Sequence, residues 1–271
     1  MSPRAGPPED NEPRESPLQK ATGDALDRNL DRPWVTSGLV LTLLAVHCGL
    51  GWRMWSQGRS LVEAAAFPRG RRLLTRSGAM NIDRTDAFEL WRLVSATFLH
   101  GDLLHLSLNV VGLFFVGRLC EAIYGPVRTL FFFVACGFTG FTFSWVGQTD
   151  LSVGASGAVF GLLGAGIIFG WKYRDALPVD QGTFFRRNLL PWVLLNLGIG
   201  LGINRLPWLD GPLVDNLAHV GGLVAGAILA MSLGNRVVPG EDGSRWPRAL
   251  MLVVCLLSLA WCAGAVWGKW G

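Results

Sequence analysis

Four polar side chains set within the long apolar runs of this chain have the types and spacing for chemistry: His105, Asn109, Ser156 and His219. Polar and ionisable groups inside a membrane span are costly, so those present are functional candidates that face a bundle interior or a watery cavity. A serine hydroxyl is a weak nucleophile until a base takes its proton during attack, and a neutral imidazole suits that task near neutral pH. Ser156 and His219 supply such a pair. No Asp or Glu is read within these spans as a third member, so the expected arrangement is a dyad whose imidazole is held by packing.

Ser156 lies in Gly154-Ala155-Ser156-Gly157, at the expected start of a helix. There the backbone N–H groups are unpaired and the helix dipole is positive, which favours a developing oxyanion. His105 and Asn109 are four residues apart, which places them on one helix face, roughly 5 to 6 Å from each other. Together with the Ser156 N–H they form the expected oxyanion donors, and one such donor is worth roughly 3 to 4 kcal/mol in the transition state. Gly154 and Gly157 let another backbone come close, and Gly157 with Gly161 makes a small-residue surface. Ala218, Gly222 and Gly226 make a matching surface beside His219, so two helices can pack closely enough to join the serine to the imidazole.

The elements that must position these groups are membrane helices. Half of the 271 residues are hydrophobic and only 16% are charged, more apolar surface than one soluble core of this size needs. Runs of about twenty residues lack Asp, Glu, Lys and Arg, the length that crosses roughly 30 Å of hydrocarbon. Seven helices are expected, over about 34–53, 102–120, 128–148, 153–171, 188–204, 214–234 and 249–268. The expected fold class is therefore all-α, a polytopic transmembrane bundle. Trp34, Trp52, Trp55, Trp171, Trp246, Trp267 and Trp270 stand near the ends of these runs, as interfacial anchors do.

Residues 1–32 are rich in Pro, charged residues and Asn, with few large apolar side chains, and read as a disordered tail. Residues 33–235 read as the core. Within it the connection 54–101 is too long for a turn and is expected to carry its own interfacial structure. Residues 236–271 read as a linker and an extra span. Counting Lys and Arg, one side receives Arg118 and Arg128, then Lys172, Arg174, Arg186 and Arg187, then Arg236, Arg245 and Arg248. That places the N-terminus in the cytoplasm, although the arginines of residues 54–101 argue the other way. The preference for Arg over Lys, with abundant Gly, Ala and Trp, points to a GC-rich bacterium and its inner membrane.

The segments GASGAVFG (154–161), HGDLLHLSLN (100–109), AHVGGLVAG (218–226) and the pair Trp91-Arg92 resemble the signatures of the rhomboid intramembrane serine proteases. The resemblance covers about residues 91–230. It implies a six-helix core with a seventh helix after it, Ser156 as nucleophile, His219 as base, and His105 and Asn109 in the oxyanion hole. It also implies supporting roles for Gly154 and Gly157, a structural role for His100, a membrane-embedded first loop around Trp91-Arg92, and a polar anchor at Glu121. Phe160 departs from the bacterial pattern, where a tyrosine is frequent; its ring can still stack on His219. The implied partners are the lipid bilayer and single-span membrane proteins as substrates, with no cofactor.

Other readings are weaker or stay open. His100 and His105 are five apart and lack the glutamate of a zinc-peptidase HExxH motif, so no metal site is expected. GASGA does not match the GxSxG elbow of soluble hydrolases, and no strand is expected before it. His47 reads as a packing residue, and the five cysteines as small hydrophobes in apolar runs. No aromatic-rich basic stripe suggests nucleic acid, and neither internal repeats nor charged midplane residues suggest a transporter. A catalytically inactive rhomboid-like protein that binds membrane clients is the alternative from a different class. Possession of both Ser156 and His219 separates the two. Substrate identity and oligomeric state are not legible.

Overall fold

All seven expected spans form helices in a computed structural model, which describes residues 15–66, 70–206, 214–242 and 247–269. The described residues just before the first span already form a helix. Helix α1 (Pro17–Leu30) occupies part of the expected disordered tail, whose first fourteen residues lie outside the described ones. Its start is held by a reciprocal capping box, Ser16 Oγ accepting from Gln19 N–H and Gln19 Oε1 accepting from Ser16 N–H. Tertiary contacts hold the rest: Leu26 is buried, and the Asn29 amide donates to the Ala122 carbonyl at 3.2 Å. Composition alone misses this, because the few apolar residues of the segment suffice once a surface is there to receive them.

The spans are α2 (Trp34–Ser56), then, after the long first loop, α7 (Leu103–Tyr124), α8 (Pro126–Val146), α9 (Ser156–Lys172), α11 (Leu190–Ile203), α12 (Asn216–Ser232) and α13 (Arg248–Gly268). Among the described residues α2, α7, α8 and α13 are long and apolar enough to cross a membrane, while α9 and α12 are shorter. At 17 residues each of the latter reaches only about 26 Å. They pack on each other and on α8, and α7 packs on α9. Helix α9 is buried around most of its circumference. Apolar side chains on the outer helices face outward, among them Leu104 and Phe115 on α7, Leu194 and Ile199 on α11, and Leu256 and Leu257 on α13. Trp34, Trp52, Trp55, Trp171 and Trp267 are exposed near span ends, as anchors require; Trp246 and Trp270 lie outside the described residues.

Two boundaries differ from expectation. Helix α7 runs one turn past residue 120, to a Gly125 cap with φ 84°. The run expected over 188–204 starts earlier, as α10 (Val179–Phe184), and passes through a π-helical turn (Phe185–Leu189) into α11. Pro191 lies just beyond that turn. It lacks the N–H of a regular helix and crowds the carbonyl four residues back, and a wider turn relieves both.

The first loop has its own structure: α3 (Leu61–Ala66), α4 (Arg71–Arg76), α5 (Ile82–Asp86), α6 (Arg92–Ser95) and a 3₁₀ turn (Ala96–Phe98). Between α4 and α5, β1 (Met80–Asn81) pairs antiparallel with β2 (Leu151–Ser152), in the register Met80 to Ser152 and Asn81 to Leu151. A strand therefore does precede Ser156, against expectation. It is a two-residue tie between the first loop and the α8–α9 connection. Buried Arg92 organises the loop: Nε donates to Glu89 at 2.6 Å, and Nη1 donates to the carbonyls of Thr75 and Ala79 at 2.6 and 3.0 Å. Helix α13 secures the same loop from outside, with Lys269 Nζ on Glu89 at 2.7 Å and Cys262 Sγ on the Trp91 carbonyl at 3.2 Å. Below α7, buried Glu121 accepts from Val35 N–H, Thr36 N–H and Thr36 Oγ1 at 2.8 to 2.9 Å, which caps the positive end of α2.

Candidate active site

Helices α9 and α12 meet almost backbone to backbone. A methyl added at Gly222 would collide with the Gly157 carbonyl, and one at Gly226 with the Gly161 carbonyl. A methyl at Gly157 would lie 3.1 Å from the Ala218 carbonyl oxygen. The expected small-residue surfaces on the two helices thus face each other. Their contact carries the first turn of α9 against the first turn of α12, and the Ser156 hydroxyl lies 2.8 Å from His219 Nε2. Ser156 is half-buried and His219 is buried, so the hydroxyl is the more accessible of the two.

Phe160, one turn after Ser156, stacks on the imidazole with ring centroids 4.2 Å apart and planes 3° from parallel. Nδ1 of His219 has no hydrogen-bond partner among the described residues. Asp215 corrects the expectation that no carboxylate is at hand, since it precedes His219 by one helical turn, within the run expected as a span. Its carboxylate is committed elsewhere. Oδ1 caps α12 by accepting from Ala218 N–H at 3.0 Å, and Oδ2 accepts from the Ser144 hydroxyl of α8. Among the described residues no carboxylate meets Nδ1, and Phe160 covers one face of the imidazole.

His105 and Asn109 converge on the residues just before Ser156. A methyl on Gly154 would lie 2.7 Å from His105 Nε2 and 3.9 Å from Asn109 Nδ2. Gly154 also has φ 126°, in the region that favours glycine, so both backbone and neighbours exclude a side chain there. The Asn109 amide gives one bond to the His105 carbonyl at 2.9 Å, which leaves its second N–H available. His105 is itself set by Asp102, which caps α7 by accepting from His105 N–H at 2.8 Å. Buried His100 accepts from Ala155 N–H at 3.4 Å and meets His105 edge-on at 5.1 Å. It therefore braces the turn that presents Ser156. Helix α9 has no side-chain cap, so no capping side chain takes the N–H groups of its first turn.

The Rhomboid domain family matches residues 87–236, more than half of the chain. The chain belongs to the rhomboid family. Among its curated rhomboid relatives, the Rhomboid protease GluP of Bacillus subtilis (strain 168) is 34% identical over 165 residues, 61% of this chain and 30% of that protein. RHOMBOID-like protein 4 of Arabidopsis thaliana is 38% identical over 149 residues, 54% of this chain and 34% of the relative. RHOMBOID-like protein 7 of Arabidopsis thaliana is 33% identical over 190 residues, 65% and 57% respectively. The chain thus spans less than two thirds of the length of each. As a rhomboid with apolar helices of membrane-crossing length, it is an integral multi-pass membrane protein of a protease family.

Asp215 and Ser144 are neighbours of the candidate pair that residue-by-residue reading misses. Asp215 carries a local signal, an N-cap aspartate three residues before a helical N–H. Ser144 carries none, because its partner is 71 residues away.

Proposed function

We propose that this rhomboid is an intramembrane serine endopeptidase that cleaves single-span membrane proteins within or near the bilayer through Ser156 and His219. The 2.8 Å contact between the Ser156 hydroxyl and His219 Nε2 carries the reading. As Ser156 Oγ attacks the scissile carbonyl carbon, its proton passes to His219 Nε2. The carbonyl oxygen becomes an oxyanion, met by the Ser156 N–H, the free Asn109 amide N–H and His105. Collapse breaks the C–N bond, and the leaving amine takes the proton from His219. A water then attacks the acyl-enzyme ester, giving its proton to His219, and Ser156 leaves as the hydroxyl with that proton.

Two features support cleavage at the membrane. The reacting pair sits at the start of α9 and α12, which are shorter than the crossing helices, and the loop braced by Arg92 is tied through β1 and β2 to the connection that leads into Ser156. The basic loops favour a cytoplasmic N-terminus, and the Arg-rich composition a bacterial inner membrane. Reporter fusions at each terminus test the orientation.

The deciding experiment is cleavage of a single-span reporter by the purified protein, with fluorophosphonate labelling in parallel. Ser156→Ala removes little volume and is expected to abolish both signals, and His219→Ala to abolish cleavage. Undiminished cleavage by Ser156→Ala overturns the proposal. Absence of both signals in the wild-type protein leaves the non-cleaving, client-binding reading.

A further inference from the structure

Helix α7 starts beside the candidate dyad and ends about 33 Å away, at 22 residues and about 1.5 Å per residue. At that far end lies a cavity of about 230 Å³, whose lining includes Tyr124, Gly125, Arg128, Arg236, Asp242 and Arg248. Two of its three guanidiniums, those of Arg128 and Arg248, meet one carboxylate there. Arg128 Nη1 and Arg248 Nη2 share Asp242 Oδ1 at 3.2 and 2.5 Å, and Arg128 Nη2 donates to the Asp242 carbonyl at 3.0 Å. The hydrogen bond from Arg248 holds the Asp242 carboxyl below the usual carboxylate range, so it is ionised at neutral pH and cancels one of the three positive charges. Two remain.

Two further carboxylates nearby, Glu121 and Glu241, have their hydrogen bonds from neutral donors outside the cavity lining, though Glu121 still acts on Arg236 through space. Glu121 serves the start of α2, and Glu241 accepts from the Tyr173 hydroxyl at 2.8 Å. Arg236 gives its Nε to the Ala122 carbonyl at 3.1 Å and makes no ion pair among the described residues. Arg128 is 1% exposed, and its Nε has no hydrogen-bond partner among the described residues. A buried guanidinium N–H in that state favours the arrival of an anionic acceptor. Helix α8 begins in the same place without a side-chain cap, so its unpaired N–H groups and positive dipole end add to the field.

We infer that this cavity binds a phosphate group, carried by an anionic phospholipid headgroup or free in solution, on the membrane face opposite the Ser156–His219 pair. Arg128, Arg236 and Arg248 are the donors, and the start of α8 completes the cradle. Its position between the ends of two helices is where basic pockets of membrane proteins take headgroups. A planar guanidinium fork suits a phosphate better than a halide.

The test is thermal unfolding of the full-length protein in neutral detergent. The additions are dihexanoyl phosphatidylglycerol, inorganic phosphate, zwitterionic dihexanoyl phosphatidylcholine, and chloride at matched ionic strength. The expected result is a rise of several degrees with phosphatidylglycerol or phosphate and none with the two controls. Arg236→Gln/Arg248→Gln is expected to need at least tenfold more ligand for the same rise. Protection by phosphate as well as phosphatidylglycerol identifies a free anion as sufficient, and protection by phosphatidylglycerol alone identifies the lipid as the source; either supports the site. Arg248→Gln alone, on the exposed side of the cavity, gives the same comparison with less risk to folding. Protection by neither ligand, or protection undiminished in these variants, overturns the inference.

Discussion

The imidazole of His219 lies flat against the Phe160 ring, 4.2 Å between centroids and 3° from parallel. The stack fixes the ring plane that points Nε2 at Ser156, and no acceptor holds Nδ1 among the described residues. An aromatic pair is worth about 0.5 to 1.5 kcal/mol beyond its buried area. Phe160→Ala is expected to lower kcat on a single-span reporter about tenfold, the rate equivalent of about 1.4 kcal/mol, with KM little changed. Phe160→Tyr keeps the stack and is expected to stay near wild-type. Equal kcat for wild-type and Phe160→Ala would remove the ring from the proposed machinery.

Asn109 spends one amide hydrogen on its own helix and offers the other beside Gly154. Asn109→Ala is expected to slow cleavage by about 10² to 10³ without abolishing it, as loss of one oxyanion donor does. Fluorophosphonate labelling of Ser156 should persist, at a reduced rate. A variant that no longer folds would instead mark Asn109 as structural.

The α9–α12 contact depends on having no side chain at Gly226. Gly226→Ala is expected to force the helices apart, lowering the unfolding temperature and cleavage together. Gly264→Ala on α13 is the control, since a methyl there meets nothing within 4 Å. It should leave both unchanged. If Gly226→Ala behaves like the control, close helix contact does not set the Ser156–His219 distance.

Asp215 ties the start of α12 to Ser144 on α8. Asp215→Ala removes a helix cap worth about 1 kcal/mol and leaves the buried Ser144 hydroxyl with only a weak local acceptor. The expected outcome is a modest fall in stability and a larger fall in kcat, because the lost anchor lies one turn from His219. Parallel unfolding and kinetic measurements separate the two effects.

Acid should loosen the clamp of α13 on the first loop. Burial pushes the Glu89 carboxyl up, but the hydrogen bonds from Lys269 and Arg92 outweigh it, and the folded-state pKa lies below the ordinary 4.5. Its contribution to stability is therefore fully present above that ordinary value and is lost as the pH falls through the lower, folded one. Glu89→Gln is expected to reduce stability at pH 7 and to flatten its acid dependence. Identical acid unfolding of wild-type and Glu89→Gln would sink this account.

Much of the site was legible because its signals are local. The glycines around Ser156, the four-residue spacing of His105 and Asn109, and the Ala218-Gly222-Gly226 repeat each lie on one helix, where periodicity alone assigns the face. The ordered α1 was not legible, since a weakly apolar helix forms there only because Ala122 and its neighbours offer partners. Nor was the two-residue pairing of β1 with β2, which joins segments about seventy residues apart and has no pattern of its own.

The amino-acid sequence by itself determined that the chain enters a membrane as helices, and which few polar side chains it carries there, because hydrocarbon leaves apolar runs no other way to satisfy their backbones. Only the tertiary structure decided that Ser156 meets His219, that Asp215 turns away to Ser144, and that two arginines share one carboxylate at the opposite end while a third stands beside them. Those are distances between helices, and they follow from which backbones can touch rather than from any single run of residues.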